Sequence, residues 1–338
     1  MKVNRENLLS ALRFAKLGTP TKGETLEQSN AFVFTESKLI TFDDEIMTVQ
    51  TSPLDAEISV AILADEFLKL VEKFPDEELE INVKGDEVIL KGSKREAGVT
   101  CFNEIHLPYD AVPQPGKMSV LGEGFDKAIQ QAARTCGKDI TQELTTMVHI
   151  TSDLIEACDN WRLFRVTMST GFKEECLLPS TSVMKLSGLG IKKVALKEGW
   201  AHFQTESKQI ISVRCSYEKY HEGIERLLDI GKSEQVKLPP TLGEIISRTV
   251  VMMNVQEEPK IQIHLTEGEL VVESRKDSGW YKEKKRVKYT GGNLSFEVNP
   301  KFLSEILQRT NVVHIGNSHR MKIEVDNIQF VVALVKPD

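Results

Sequence analysis

The sequence predicts an α+β protein built from three copies of one module. Each copy contains a short amphipathic helix that leads into alternating strands, first at Ala61 to Leu90, then at Leu177 to Val213, and again at Glu297 to Leu334. The anchor positions of the helices, Phe67, Val183 and Phe302, are 116 and 119 residues apart. A period of this length corresponds to a domain, because solenoid repeats are much shorter.

Each copy also has a first half, which consists of an amphipathic helix and three strands. The predicted helices cover residues 6–17, 125–136 and 242–250; the predicted strands cover 31–35, 38–42, 46–51, 147–151, 154–158, 163–168, 260–265, 269–274 and 282–287. A proline-rich stretch at 108–116 and a polar stretch at 229–235 separate the copies. We therefore place three modules at residues 1–116, 117–232 and 233–338.

Helices on one face of an antiparallel sheet leave two unpaired edge strands in every module. Three modules side by side in a continuous sheet would form an arc. Two arcs joined head to tail would close a ring and remove every edge. In that ring the sheets would lie outside and the helices would line the inside.

Composition narrows the class of protein. The chain has 338 residues, 28% charged and 40% hydrophobic, and it lacks the roughly 18 consecutive apolar residues of a membrane span. Its opening residues are charged and amphipathic, unlike a secretory signal, so we expect a cytoplasmic protein. Five cysteines without a C-x-x-C pair indicate reduced thiols. A net charge of −7 argues against a surface that binds nucleic acid everywhere, but a local basic face remains compatible with it.

No group of residues forms a convincing active site, so we expect neither catalysis nor a cofactor or metal. Asp43-Asp44-Glu45 could bind a metal, but a solvated turn is the better interpretation because no histidine is near. Gly188 to Ile191 lacks the spacing of a nucleotide loop. Lys282 to Lys288, with the sequence KEKKRVK, fits either a nucleic-acid patch or a solvated strand face.

Two motifs and the module order resemble a known family. Leu154 to Val166, LIEACDNWRLFRV, is similar to the second-domain strand-turn-strand of the bacterial-type sliding clamp, the beta subunit of DNA polymerase III. Phe330 to Val335 looks like the terminal strand of that family, and the resemblance covers the whole chain. It implies a head-to-tail homodimer of six domains that encircles double-stranded DNA without reading its sequence. It also implies a non-catalytic processivity factor with DNA polymerase, the clamp loader and other clamp-motif proteins as partners.

The resemblance further implies a partner-peptide pocket between the second and third domains. Carried over by position, its residues are Leu144, Asn160, Trp161, Arg162, Leu163, Arg226, Leu227, Val331, Val332, Ala333, Leu334 and Val335. Asn160-Trp161 replaces the Gly-His of the family, and the terminal segment lacks its methionines and proline. These departures suit a divergent member, such as a phage or accessory clamp, with a different partner motif. Trp161-Arg162 has the composition of an interaction hot spot, although a Trp is also often packed inside.

Basic residues on or near the predicted helices are candidates for contact with DNA. They are Arg5, Arg13, Lys16, Lys22, Lys69, Lys73, Lys127, Arg134, Lys138, Lys185, Lys192, Lys193, Arg248, Lys301 and Arg309. Any one of them alone is most often ordinary helix surface. Together they would contact phosphates without reading sequence. The alternative function is a clamp-fold scaffold that binds transcription or repair partners and forms no closed ring.

Overall fold

One order of secondary-structure elements occurs three times in the chain. The computed structural model describes residues 1–254 and 258–337; residues 255–257 and 338, all in the third predicted module, lie outside the described part. Each repeat contains a short strand, a helix and three strands, followed by a strand, a second helix and three more strands. The predicted α+β class with three repeated modules is therefore confirmed.

The bounds of the elements follow this order along the chain. The first repeat contains β1 Lys2–Asn4, α1 Arg5–Ala15, β2 Ala31–Thr35, β3 Lys38–Phe42, β4 Ile46–Thr51, β5 Val60–Leu63, α2 Ala64–Lys73, β6 Glu78–Lys84, β7 Glu87–Lys91 and β8 Glu96–Phe102. The second contains β9 Ser119–Val120, α3 Phe125–Thr135, β10 Met147–Ile150, β11 Leu154–Cys158, β12 Arg162–Thr167, β13 Cys176–Pro179, α4 Ser180–Lys185, β14 Ile191–Lys197, β15 Trp200–Thr205, β16 Ile210–Arg214 and a short extra helix, α5 Ile224–Leu228. The third contains β17 Ser233–Lys237, α6 Leu242–Thr249, β18 Ile261–Thr266, β19 Glu269–Lys276, β20 Gly279–Arg286, β21 Leu294–Val298, α7 Pro300–Leu307, β22 Val312–Gly316, β23 Arg320–Val325 and β24 Ile328–Ala333.

The sequence pattern missed the strands that precede the helices. β1 and β9 have three and two residues, which is too short for an alternating pattern to be visible. β5 runs directly into α2, and β13 runs directly into α4. The sequence pattern therefore assigned the apolar residues of these two strands to the helices that follow them. The strands β2, β3 and β4 coincide with the predicted ranges.

The chain forms two compact units. The first comprises residues 1–130, 149–152 and 169–218, and the second comprises 131–148, 153–168 and 219–338. Residues of the predicted middle module occur in both units. The module boundaries at 116/117 and 232/233 stay a prediction.

A twelve-stranded sheet forms the first unit, in the order β1-β6-β7-β8-β5-β2-β3-β4-β16-β15-β14-β9. Helices α1 and α2 pack together on it, and their buried side chains Leu8, Leu12, Phe67 and Val71 share one apolar core with strand residues such as Phe34. This arrangement follows from the helical spacing of those apolar residues, since each helix buries a single stripe.

In the second unit, six strands are neighbours in the order β11-β12-β24-β23-β22-β17, and a separate sheet has the order β20-β19-β18-β21. Helices α6 and α7 contact each other, and α6 also contacts β19 and β20. Helix α7 begins at an Asn-Pro pair: the Asn299 side chain accepts a hydrogen bond from the Lys301 N–H at 3.0 Å, and Pro300 occupies the first turn. This capped start fixes the position of Phe302 one turn later.

A buried histidine in β15 should make stability depend on pH. His202 is 0% exposed, its Nδ1 lies 2.7 Å from Ser212 Oγ, and burial, with a smaller effect of the Lys197 charge, lowers its pKa from 6.5 to about 4. Between pH 4 and pH 6.5 the His202 side chain is therefore protonated in the unfolded chain and neutral in the folded chain. The free energy of unfolding should therefore be highest above pH 6.5 and should fall, by up to about 3 kcal/mol, as the pH drops to about 4.

Urea unfolding at several pH values measures this dependence. His202→Gln should remove most of the loss between pH 6.5 and 4, whereas replacement of the exposed His106 should leave it unchanged. An unchanged pH dependence in His202→Gln would show that the loss arises elsewhere.

Candidate partner pocket and nucleic-acid interface

A pocket of about 140 Å³ lies in the second unit, at the end of β24 and beside the first turn of α7. Its lining consists of Trp161, Glu258, Pro259, Lys260, Glu297, Val298, Asn299, Phe302, Ala333 and Val335. The aromatic and aliphatic side chains supply apolar contact area, whereas the two glutamates, the lysine and the asparagine add polar groups. Apolar pockets with a few fixed polar groups are typical of ligand-binding sites.

Backbone hydrogen bonds hold the walls of this pocket together. The Ala333 N–H donates to the Trp161 carbonyl at 2.7 Å. Val335 and Glu297 exchange two bonds, with the Glu297 N–H donating at 2.7 Å and the Val335 N–H donating at 3.0 Å. The Trp161 turn, the end of β24 and the end of β21 are thereby fixed before any ligand binds, which lowers the entropic cost of binding.

Trp161 sits on a tight turn that an aspartate organises. The Asp159 carboxylate accepts hydrogen bonds from the backbone N–H groups of Trp161 and Arg162, both at 2.8 Å. In the first repeat, Asp43 closes the β3–β4 turn in the same way, with bonds from Glu45 and Ile46 at 3.1 and 2.7 Å. Asx turns of this kind explain the acidic residues that follow both strands.

Arg162 is almost completely buried behind the pocket. Its guanidinium binds Asp159 at 3.0 Å and Glu305 at 2.6 Å, and it donates to the Arg134 carbonyl at 2.7 Å. It also lies 4.4 Å from the ring centre of Phe302. Arg162 therefore ties the Trp161 turn to α3 and α7, and its contacts are those of a residue that positions the pocket.

Three of the twelve residues predicted for the pocket, Trp161, Ala333 and Val335, line it. The other nine lie elsewhere among the described residues: Arg162, Leu163, Val331, Val332 and Leu334 are buried, Leu144 is half-buried, and Asn160, Arg226 and Leu227 are exposed. Consecutive residues of β12 and β24 are buried. Because successive side chains point to opposite faces of a sheet, both faces are covered at this point. The role of all twelve in partner binding stays a prediction.

The sequence analysis did not predict the part of the pocket that is formed by the end of β21 and the first turn of α7. Asn299 and Phe302 lie there, and Lys260 and Glu297 add charges of opposite sign. Phe302 was predicted as a core residue of the helix, and it is indeed buried. One edge of the Phe302 side chain also lies at the pocket. This position results from tertiary packing, which the helical pattern of the sequence does not reveal.

Six of the fifteen basic residues predicted to face DNA are bound within the chain. Arg5 donates to the backbone carbonyls of Val71 and Glu72, Arg13 pairs with Glu72, Lys16 pairs with Asp65, Lys185 donates to the Leu17 carbonyl, Arg248 pairs with Glu283, and Arg309 donates to the Glu305 carbonyl. The hydrogen bond from Lys16 holds the pKa of Asp65 below its usual value, and Glu283 raises the pKa of Arg248. The carboxylates offset the charge of Arg13, Lys16 and Arg248, and the carbonyls hold Arg5, Lys185 and Arg309 in place, so all six side chains are less available to phosphates.

The other nine basic residues are exposed: Lys22, Lys69, Lys73, Lys127, Arg134, Lys138, Lys192, Lys193 and Lys301. Five of them lie on α2, α3 and α7, whereas Lys192 and Lys193 belong to β14 and Lys22 and Lys138 to connecting segments. Long exposed lysines can contact phosphates without fixed geometry, as non-specific binding requires.

Solved structures match this fold over its full length. A DNA polymerase sliding clamp from Pseudomonas aeruginosa superposes with a TM-score of 0.82 at 18% identity, covering 100% of this chain and 99% of that one. A sliding clamp from Bacillus subtilis gives 0.84 at 14% identity, and the polymerase III beta subunit from Thermotoga maritima gives 0.82 at 16%, both with 100% and 99% coverage. The chain has the sliding-clamp fold. No protein-family model and no curated protein matches the sequence.

The sliding-clamp fold confirms the resemblance that the sequence motifs indicated, and identities of 14 to 18% fit a divergent example of it. Within residues 1–254 and 258–337, no cluster of three or more His, Cys, Asp or Glu side chains could hold a metal ion. In the same part of the chain, no helix has the length and apolar character of a membrane span. All five cysteines are buried free thiols.

Proposed function

We propose that this chain is a DNA sliding clamp, a processivity factor without catalysis of its own. The observation that carries the proposal is the full-length correspondence of the fold with sliding clamps, at TM-scores of 0.82 to 0.84. Two chains would join head to tail into a ring, with the helices inside and the sheets outside. Double-stranded DNA would pass through the ring, and the net charge of −7 would discourage binding to the outside.

Sliding requires weak contacts with DNA. The nine exposed basic side chains can bind phosphates through their charge alone, and such contacts carry no sequence information. Internal ion pairs and hydrogen bonds at the other six positions would lower the number of phosphate contacts, so that the ring itself, rather than affinity, would retain the DNA. A tightly binding surface would slow the movement that a clamp needs.

The pocket beside Trp161 would hold a segment of the DNA polymerase, the clamp loader or another clamp-motif protein. Trp161, Phe302 and Val335 provide apolar contacts for a side chain of the partner, and Lys260 and Glu297 can bind its polar groups. Aromatic residues in desolvated pockets dominate many interfaces. The clamp would then hold its partner protein on DNA without catalysing a reaction.

A non-ring scaffold is the second candidate. The internal pairing of six predicted DNA-facing residues favours it, because it weakens the basic surface. A scaffold would bind partner peptides in transcription or repair but would not stay on DNA after the free protein is removed.

Retention on DNA with blocked ends separates the two candidates. The protein would be incubated with a long linear duplex carrying biotin at both ends, and streptavidin would then be added to block the ends. A clamp threaded on the duplex should remain bound at least about tenfold longer than on an unblocked duplex, even at high salt, where charge-driven binding falls steeply. Streptavidin added before the protein is the control. Equal loss from blocked and open DNA would contradict the clamp function and support the scaffold.

A further inference from the structure

Two buried cysteines of the first unit, Cys176 and Cys215, lie next to each other. Cys176 is the first residue of β13, and Cys215 directly follows β16. The residues after them, Leu177 and Ser216, form an antiparallel bridge, in which the Ser216 N–H donates to the Leu177 carbonyl at 2.9 Å. This β13–β16 contact joins the strand before the second helix of the repeat to the last strand of the same repeat.

The bridge places both thiols on the same face. Side chains of residues that are opposite each other share a face, and neighbouring residues of a strand point to opposite faces. Leu177 and Ser216 therefore share one face, and the residues that precede them share the other. On that other face, Cys176 and Cys215 are diagonal neighbours, which is close enough for side chains to touch. The Cys176 thiol indeed donates a hydrogen bond to the Cys215 sulfur.

The same contact occurs in the other two repeats. Ala61 bridges to Phe102 in the first repeat, and Glu297 bridges to Val335 in the third. Ala61 and Glu297 each lie three residues before the second helix of their repeat, as Leu177 does before α4. The three contacts can therefore be compared residue by residue.

Apolar side chains and a single thiol fill the equivalent positions in those repeats. The residues equivalent to the two neighbouring thiols are Val60 and Cys101 in the first repeat and Phe296 and Leu334 in the third, and all four are buried. Val60 and Cys101 belong to one apolar core. Packing at this contact thus requires apolar side chains but not a pair of sulfurs. Of the three contacts, all among the described residues, only that of the second repeat has a thiol on both strands.

Burial limits which oxidant can reach these thiols. Cys176 and Cys215 are only 7% and 9% exposed. Hydrogen peroxide is small enough to reach a sulfur with this little exposure. A larger oxidant, such as the disulfide of glutathione, would first have to separate β13 from the end of β16. The chemical class of oxidant that fits the site is therefore a small peroxide.

The hydrogen bond between the thiols decides which sulfur reacts first. Together with burial and the nearby charge of Glu175, this bond raises the pKa of the Cys176 thiol, so Cys176 keeps its proton. The Cys215 sulfur accepts the bond, and a donated hydrogen bond stabilises a thiolate. The thiolate is the form that reacts with oxidants. Cys215 is therefore the sulfur that reacts first, and Cys176 is the second thiol, which closes a disulfide.

We propose that Cys176 and Cys215 form a reversible disulfide with hydrogen peroxide, and that this bond fixes the β13–β16 contact. In the first step, the Cys215 thiolate attacks one peroxide oxygen, the O–O bond breaks and hydroxide leaves, so Cys215 becomes a sulfenic acid. In the second step, the Cys176 sulfur attacks the Cys215 sulfur, and the hydroxyl group leaves with the Cys176 proton as water. The hydroxide recombines with the proton that Cys215 released. Two thiols thereby lose two electrons, and one peroxide is reduced to two waters.

The disulfide restrains the opening of the β13–β16 contact. Cys176 and Cys215 are 39 positions apart, so the bond closes a long segment of the chain. Exchange of the Ser216 N–H with solvent requires separation of the two bridged residues, and the neighbouring covalent bond opposes that separation. The inference is independent of the proposed clamp function, because both cysteines and the whole contact belong to one chain.

Peroxide treatment followed by peptide mapping tests the disulfide. The folded protein would be treated with hydrogen peroxide, its remaining thiols would be blocked with iodoacetamide, and its protease fragments would be weighed by mass spectrometry. We expect two fragments joined through Cys176 and Cys215, with the loss of two hydrogens, and their separation by dithiothreitol. Hydrogen exchange of the Ser216 N–H should be at least about tenfold slower in the oxidised protein.

Cys176→Val is the matched variant, because Val60 occupies the equivalent position of the first repeat. It should fold as the native protein does and form no disulfide, and Cys215 should then oxidise further to the sulfinic acid. Cys215→Ala should likewise give no crosslink, and it serves as a second variant if the first does not fold. Cys101→Val is the control, which should form the crosslink as the native protein does.

Three results would overturn the inference. In the treated native protein, Cys176 and Cys215 could stay free or oxidise separately, and then the disulfide does not form. A crosslink that leaves the exchange of the Ser216 N–H unchanged would show that the bond does not fix the β13–β16 contact. A crosslink of the same mass in Cys176→Val would show that other cysteines form it.

Discussion

Replacement of Arg162 by alanine is expected to lower the free energy of unfolding by about 3 to 5 kcal/mol, the largest stability effect that we predict for a single residue. The guanidinium is 7% exposed and binds two carboxylates and one backbone carbonyl. Without it, Asp159 and Glu305 would be largely buried charges with no cation between them. Urea denaturation at neutral pH measures the difference.

The matched control is Arg226→Ala, which removes an exposed arginine from the same unit and should change stability by no more than about 0.5 kcal/mol. Glu305→Gln should restore part of the loss when combined with Arg162→Ala, because it removes one of the unpaired charges. A loss below about 1 kcal/mol in Arg162→Ala would show that the surrounding water replaces the guanidinium, and that Arg162 does not hold the pocket together.

Replacement of Trp161 by alanine is expected to weaken partner binding by about 2 kcal/mol or more, which is roughly thirtyfold in the dissociation constant. Trp161 is the largest apolar side chain in the pocket lining, and its backbone is fixed by the Asp159 turn and by the bond from Ala333. Calorimetry with a short apolar peptide from the polymerase would measure the loss. Val335→Ala should cause a smaller loss, because less surface is removed.

Tyr217→Ala is a suitable control, since Tyr217 is 84% exposed and lies outside the pocket lining. The solution mass should be the same in Trp161→Ala, in Tyr217→Ala and in the native protein. Normal peptide binding by Trp161→Ala would show that partners use another surface, and the pocket assignment would then be wrong.

The pocket illustrates how far motif reasoning extends. Trp161 could be recognised because it lies in the turn after an alternating strand, and the strand-turn-strand motif indicated the place. Arg162 follows directly in sequence, yet its side chain is buried against Glu305, a residue 143 positions away. A separation of that length leaves no local pattern, so the sequence did not distinguish a half-buried residue that lines the pocket from a buried residue that forms ion pairs.

The basic residues also show that a local sequence pattern does not reveal contacts between distant residues. Their positions along helices were visible from charge and period, but Arg13 and Lys16 are paired with carboxylates of α2, on a different helix. Whether a lysine is available for a phosphate depends on these neighbours. Only the packing of α1 against α2 decides it.

The sequence by itself determined the repeated order of helices and strands, because apolar residues at periods of 3.6 and 2 act within one segment and recur at domain-sized spacing. It also determined the bounds of β2, β3, β4 and β11. The tertiary structure decided which strands become neighbours, which charges are neutralised and which edges stay open. Those outcomes depend on contacts between residues far apart in the chain. β20, for example, stays at the edge of its sheet because no second strand of the described chain pairs with it.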